Sequence, residues 1–74
     1  MFNNALLHRR LIMLNLDFIE FWCAILQSAG STNQQAGNYE QATLNYQEAA
    51  LLTPQDGTIY YNLANAQREL GKAR

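Results

Sequence analysis

The residues able to do chemistry are few, and they are scattered along the 74-residue chain. His8 is the single histidine and Cys23 the single cysteine. A Cys/His nucleophilic pair also needs a third group to orient it and a pocket to work in, and the sequence suggests neither. Cys23 stands in the apolar run Phe21-Trp22-Cys23-Ala24-Ile25, with no cationic neighbour to lower its pKa, and reads as a small buried hydrophobe. No two Cys or His residues have metal-ligand spacing. Gly30, Gly37, Gly57 and Gly71 are punctuation, far too dispersed for a phosphate-cradling loop. Glu40 and the Asp56-Gly57 pair fall at expected helix starts, where a carboxylate favours the helix dipole. The expectation is a protein that is not an enzyme and has no cofactor or metal.

Charge points the same way. Five Lys and Arg against six Asp and Glu leave a net charge of −1, no footprint for nucleic acid. Tyr60 and Tyr61 could stack on a base, but no basic groove accompanies them. Only 15% of residues are charged, and Asn and Gln supply much of the polarity. A binding surface here would work by hydrogen bonding and shape. The stretch from His8-Arg9-Arg10 through Leu26 resembles a secretory leader, but Asn15, Asp17 and Glu20 interrupt it and it is too short to span a bilayer. No membrane association is expected, and the default location is cytoplasmic.

The elements that must position these groups are helices. Leu7, Leu11, Leu14, Phe18, Phe21 and Ile25 recur at spacings of four and three, a heptad-like stripe. Ile12, Leu16, Ile19, Cys23 and Leu26 form a second stripe beside it. Neither Gly nor Pro occurs before Gly30, so one long helix is possible, as is a break near Asn15 with Asp17 capping a new start. Ser28 to Asn33 are weak helix formers; either a loop lies there or packing carries the helix through. Gly37 suits a left-handed helix terminus, and Asn38 with Gln41 resembles a capping box. Helices are expected at about residues 39–52 and 58–70, separated by the turn Thr53-Pro54-Gln55-Asp56-Gly57. Ile59, Tyr60, Leu63, Ala64, Gln67 and Leu70 are expected on one side of the last helix, with Tyr60, Leu63, Ala64, Gln67 and Leu70 turned toward a neighbour and Gly71 as its cap.

Gly37 and Gly71 lie 34 residues apart, and at the same offset Ile25 matches Ile59 and Leu26 matches Tyr60. The run Gly37-Asn38-Tyr39-Glu40-Gln41-Ala42, followed by Tyr46, Ala49 and Pro54, resembles the second half of a tetratricopeptide repeat. Tyr60-Tyr61-Asn62-Leu63-Ala64-Asn65 with Leu70-Gly71 resembles the opening half of the next unit. Upstream the pattern thins: Leu26 stands at the large aromatic place and Asn33 where a tyrosine is usual. The expected organisation is an apolar helical segment over 1–22 and a repeat region over 23–74, best matched over 37–71. The expected fold is all-α, an antiparallel helical-hairpin fragment of a solenoid.

The resemblance implies a protein- or peptide-binding module whose first helices line a concave face. It places Tyr61, Asn65, Arg68 and Glu69 on that face, with Gln27, Ser31, Gln34 and Gln35 as counterparts one repeat earlier. Members that clamp a terminal carboxylate carry a lysine where Gln27 and Tyr61 stand here, so that activity is not expected. Two other readings stay open: a self-association element, and a docking appendage truncated from a larger protein. One and a half repeats leave faces uncovered, and a homo-oligomer through the N-terminal helix and the uncapped last helix is the expected remedy.

Overall fold

A computed structural model describes the backbone of residues 4–73 and the side chains of residues 18–72. Three helices follow one another: α1 (Asn4–Gln35), α2 (Tyr39–Leu52) and α3 (Gly57–Ala73), with no strand among the described residues. The helix α1 passes Asn15 and residues 22 and 23 without interruption. Leu7, Leu11, Ile12, Leu14 and Leu16, expected on its apolar stripes, lie outside the residues whose side chains are described.

The weak stretch Ser28–Asn33 stays helical because α2 packs on it. Gly30 is buried, and its missing side chain is where the Tyr46 ring lies: a β-carbon there would come within 2.7 Å of Cε1. One turn later Asn33 Nδ2 donates to Asn45 Oδ1 at 2.8 Å, joining the two helices through a half-buried and a buried amide. A side chain larger than hydrogen at position 30 would hold the helices apart. Tertiary contact overrides propensity here.

The turn between α1 and α2 is set by Gly37, whose φ of +85° is the left-handed conformation that glycine adopts without a β-carbon penalty. Asn38 N donates to Asn33 O at 2.8 Å and Gly37 N to Gln34 O at 3.1 Å, the paired bonds that close a Schellman terminus. The expected capping box is absent: Asn38 precedes α2 but makes no side-chain cap. At the next turn Asp56 accepts from Thr58 N at 3.0 Å, satisfying an orphan amide of α3. The helix α3 runs past Gly71 to Ala73, so Gly71 lies within it and does not cap it.

Two small clusters form the core. Cys23 and Leu26 from α1 meet Ala49 of α2 and Ile59 of α3, flanked by Ala50 and Leu52. Ala42 and Tyr46 of α2 meet Ala66 of α3, with Leu63 packed alongside. The packing side of α3 therefore differs in part from the expected one: Ile59, Leu63 and Leu70 fall where they were expected, and Tyr60, Ala64 and Gln67 do not. Ile59 and Ala66 are fully buried with Leu63 half-buried, whereas Tyr60, Ala64 and Gln67 are exposed. The sequence pattern mixes two faces: one meets the α2 that precedes α3, the other matches the α1 face that α2 covers.

Candidate functional site

Each residue of an α-helix turns the next by about 100°, and that rotation sorts α1 into three stripes. Cys23, Leu26, Gly30 and Asn33 face α2. Gln27, Ser31 and Gln34, each one residue further on, form a polar stripe about a third of a turn away. Phe18, Phe21 and Ile25 form a third, apolar and exposed. The helix α3 divides likewise. Ile59, Leu63 and Ala66 face α2, Tyr60, Ala64 and Gln67 lie to one side, and Tyr61, Asn65 and Arg68 to the other. The 34-residue offset carries Gln27, Ser31 and Gln34 onto Tyr61, Asn65 and Arg68, and Leu26, Gly30 and Asn33 onto Tyr60, Ala64 and Gln67; of the apolar stripe only Ile25 falls on α3, at Ile59.

Several of the eight candidate residues are held by neighbours on their own domain. Gln27 is half-buried, and its Nε2 lies 3.7 Å from Cys23 Sγ. Gln34, also half-buried, accepts from the Tyr46 hydroxyl at 3.4 Å through Oε1. Arg68 donates to the Asn65 side-chain oxygen one turn before it. Glu69 and Lys72 form an exposed ion pair at 3.3 Å, of the kind that adds a few tenths of a kcal/mol at most, about 0.3–0.5. Ser31 and Gln35 are exposed, and Tyr61 is 69% exposed. Among the described residues no side-chain hydrogen bond joins the α1 group to the α3 group. What the arrangement offers is an amide-rich surface carrying one large aromatic, with its arginine already turned toward an amide.

The buried polar groups have structural partners. Thr53 Oγ1 lies 3.2 Å from Cys23 Sγ, and that sulfur lies 3.7 Å from Ala49 O, tying the end of α2 to α1. Burial of Tyr46 raises its hydroxyl pKa above the ordinary tyrosine value by desolvation. Among the described residues no group of three His, Cys, Asp or Glu is placed to hold a metal ion. No described helix is long and apolar enough to cross a membrane.

A hollow that sequence reasoning missed opens beside the first turn of α2. Gly37, Asn38, Tyr39, Gln41 and Leu44 line it on one side and Leu70 on the other, and its volume is about 500 Å³. No motif marks such a hollow in advance, since residues 26 or more positions apart form its two walls.

A family model described as TPR repeat matches residues 34–71, just over half the chain. The chain belongs to the TPR repeat family. The match covers the end of α1, all of α2 and most of α3, the part in which Ala42, Tyr46 and Ala49 are buried. The TPR small residues earn their places here by contact: Ala42 and Ala49 are fully buried in the two clusters that join α2 to its neighbours. No curated protein and no solved structure matches the chain. A TPR repeat is generally a non-catalytic fold for interaction with proteins, and this chain is a protein–protein interaction module at that level.

Proposed function

We propose that the chain binds an extended peptide or protein segment on the polar stripes of α1 and α3, through Gln27, Ser31, Gln34, Gln35, Tyr61, Asn65, Arg68 and Glu69. The observation that supports this reading is the 34-residue correspondence of Gln27, Ser31 and Gln34 with Tyr61, Asn65 and Arg68, both sets lying off the sides that pack on α2. Each stands about a third of a turn or more from the side its helix packs on α2, and the 34-residue period relates them. Side-chain amides suit a peptide, because one amide both donates to and accepts from a backbone. Tyr61 supplies a rigid, amphipathic contact of the kind that concentrates binding energy. The hydrogen bond to the neutral Asn65 amide leaves Arg68 charged while Glu69 and Lys72 offset each other, so steering would rest on one net positive charge and affinity would depend modestly on salt.

Selection of displayed peptides against the full chain tests the reading. Tyr61→Ala and Asn65→Ala are expected to weaken the selected peptides by tenfold or more, roughly the 1.4 kcal/mol and above of an interface anchor. Gln47→Ala, on the exposed side of α2, is expected to leave binding intact. Peptides lost with Gln47→Ala and kept with Tyr61→Ala would overturn it.

A further inference from the structure

We infer that the proposed peptide face is polarised, with Gln34, Asn65 and Arg68 presenting N–H donors and Gln27 presenting an oxygen acceptor. A bound segment is then held by its backbone carbonyls at one end of the face and by a backbone N–H at the other. The inference rests on the peptide reading and adds which atoms of the segment are recognised. A free amide offers a donor and an acceptor alike, but an amide with one pole turned to a neighbour in its own domain offers the other. Counting protons shows which pole is engaged. Arg68 has only donors, so its hydrogen bond takes the Asn65 side-chain oxygen and leaves Asn65 Nδ2 outward. The Ala49 carbonyl can only accept, so its contact with Cys23 Sγ at 3.7 Å uses the single thiol proton. Toward Gln27 the sulfur is then an acceptor, as it is toward Thr53 Oγ1 at 3.2 Å. Gln27 therefore turns Nε2 inward, 3.7 Å from Sγ, and leaves Oε1 outward. The Tyr46 hydroxyl donates to Gln34 Oε1 at 3.4 Å, which leaves Gln34 Nε2 outward. Ser31, Gln35 and Tyr61 can donate or accept, and Glu69 is turned to Lys72.

The two poles are separated in space. Both α1 and α3 pack antiparallel on α2 and so run in the same direction. Cys23 and Ile59 lie with Ala49 near the end of α2, and Gly30 and Ala66 lie with Tyr46 nearer its start. The three donors thus gather toward the Gly37 turn, and the acceptor of Gln27 lies toward Pro54. Along α1, Gln27 and Gln34 stand about 10 Å apart on the helix axis, the span of about three extended residues. One short segment reaches both. An extended segment makes no internal hydrogen bonds, so its carbonyl oxygens are free for these donors. Two of the three donors are neutral amides, which favours neutral carbonyl oxygens over a carboxylate as their match. Residues seated at the Gly37 end need no N–H there, so proline is tolerated, while the residue over Gln27 must keep its N–H.

Titration calorimetry of the full chain tests this with a peptide selected on it from a displayed library. Blocking the peptide's ends and replacing its acidic residues by their amides is expected to keep affinity within about threefold. Loss of binding there would make a carboxylate the ligand and overturn the inference. Asn65→Asp turns an outward donor into an acceptor of the same shape and is expected to weaken binding about tenfold or more, whereas Gln27→Glu keeps an outward oxygen and is expected to stay within about threefold. Exchanging each peptide N–H in turn for an ester oxygen is expected to find one position that costs about tenfold on the unaltered chain and nothing further on Gln27→Ala. The ester scan on the unaltered chain decides the matter if a variant fails to fold. A peptide indifferent to Tyr61→Ala sinks the peptide reading and this inference with it. A peptide weakened by Tyr61→Ala, yet affected alike by Asn65→Asp and Gln27→Glu or lacking an ester-sensitive position, overturns the polarity alone.

Discussion

Gly30→Ala separates two effects that ordinarily travel together. In a helix interior, alanine is more favourable than glycine by about 0.8–1.0 kcal/mol. At position 30 the added β-carbon would come within 2.7 Å of Cε1 and 2.8 Å of Cζ of Tyr46, distances that force something to move. The obstacle is the face of a ring only 2% exposed, wedged against Ala42 and Ala66, and it cannot swing into solvent. Overpacking of this kind costs about 1–3 kcal/mol. Subtracting the propensity gain leaves a net loss of roughly 1 kcal/mol, a fall in Tm of about 4–8 °C for a domain of this size. Gly71→Ala is the matched control. Gly71 is also helical, is exposed, and has nothing within 4 Å of its would-be β-carbon, so that variant should be neutral to slightly stabilising. Chemical and thermal unfolding of both variants, at one protein concentration, gives the comparison. Combining Gly30→Ala with Tyr46→Leu should recover part of the loss, as a coupling between two touching residues. A Gly30→Ala protein as stable as Gly71→Ala would refute the close approach of α1 and α2 and the account of why Ser28–Asn33 stays helical.

Asn33→Ala is expected to cost about 1–3 kcal/mol in urea unfolding, because it leaves the buried Asn45 amide unpaired, while replacing both partners by apolar residues should cost less. Ala42→Leu should lose about 1–3 kcal/mol by overpacking the contact with Tyr46 and Ala66, and an unchanged Tm would contradict that contact. Gly37→Ala should destabilise by about 1–2 kcal/mol through its left-handed φ alone, since nothing crowds the site. The raised pKa of Tyr46 gives an alkaline signature. The folded chain holds that proton more tightly than the unfolded one, so its contribution is complete below the ordinary tyrosine value near 10 and fades as pH rises from there through the folded pKa. Tm should fall over that range, and Tyr46→Phe should remove part of the slope.

Much of the hairpin is legible in the sequence because its signals are local. Pro54 with Gly57 marks one turn, Gly37 the other, and the 34-residue echo from Gly37 to Gly71 marks the unit. The face of α3 is harder to read. Ile59, Leu63 and Ala66 pack on α2, yet Tyr60 and Ala64 look equally apolar, because the same helix carries a second face equivalent to the one Leu26 and Gly30 present to α2. Periodicity finds apolar positions and does not say which neighbour each one meets. The absent capping box at Asn38 has a similar cause. The Schellman bonds from Gly37 and Asn38 fix the backbone of the turn, and φ −85° with ψ 66° at Asn38 makes no side-chain cap. The polar stripe of α1 is visible as a run of Gln and Ser, but the engagement of Gln27 with Cys23 and of Gln34 with Tyr46 depends on contacts between helices and within a turn that composition does not reveal.

The central claim is that the two polar stripes form one binding face, and amide chemical-shift mapping on the full chain tests it most directly. Titration of the isotope-labelled protein with a selected peptide is expected to move the resonances of Gln27, Ser31, Gln34, Gln35, Tyr61, Asn65, Arg68 and Glu69 together along one binding curve. The outward positions Gln47, Glu48 and Leu51 of α2 should stay where they are. Shifts that cluster on α2, or that appear on α1 and α3 with separate affinities, would contradict it.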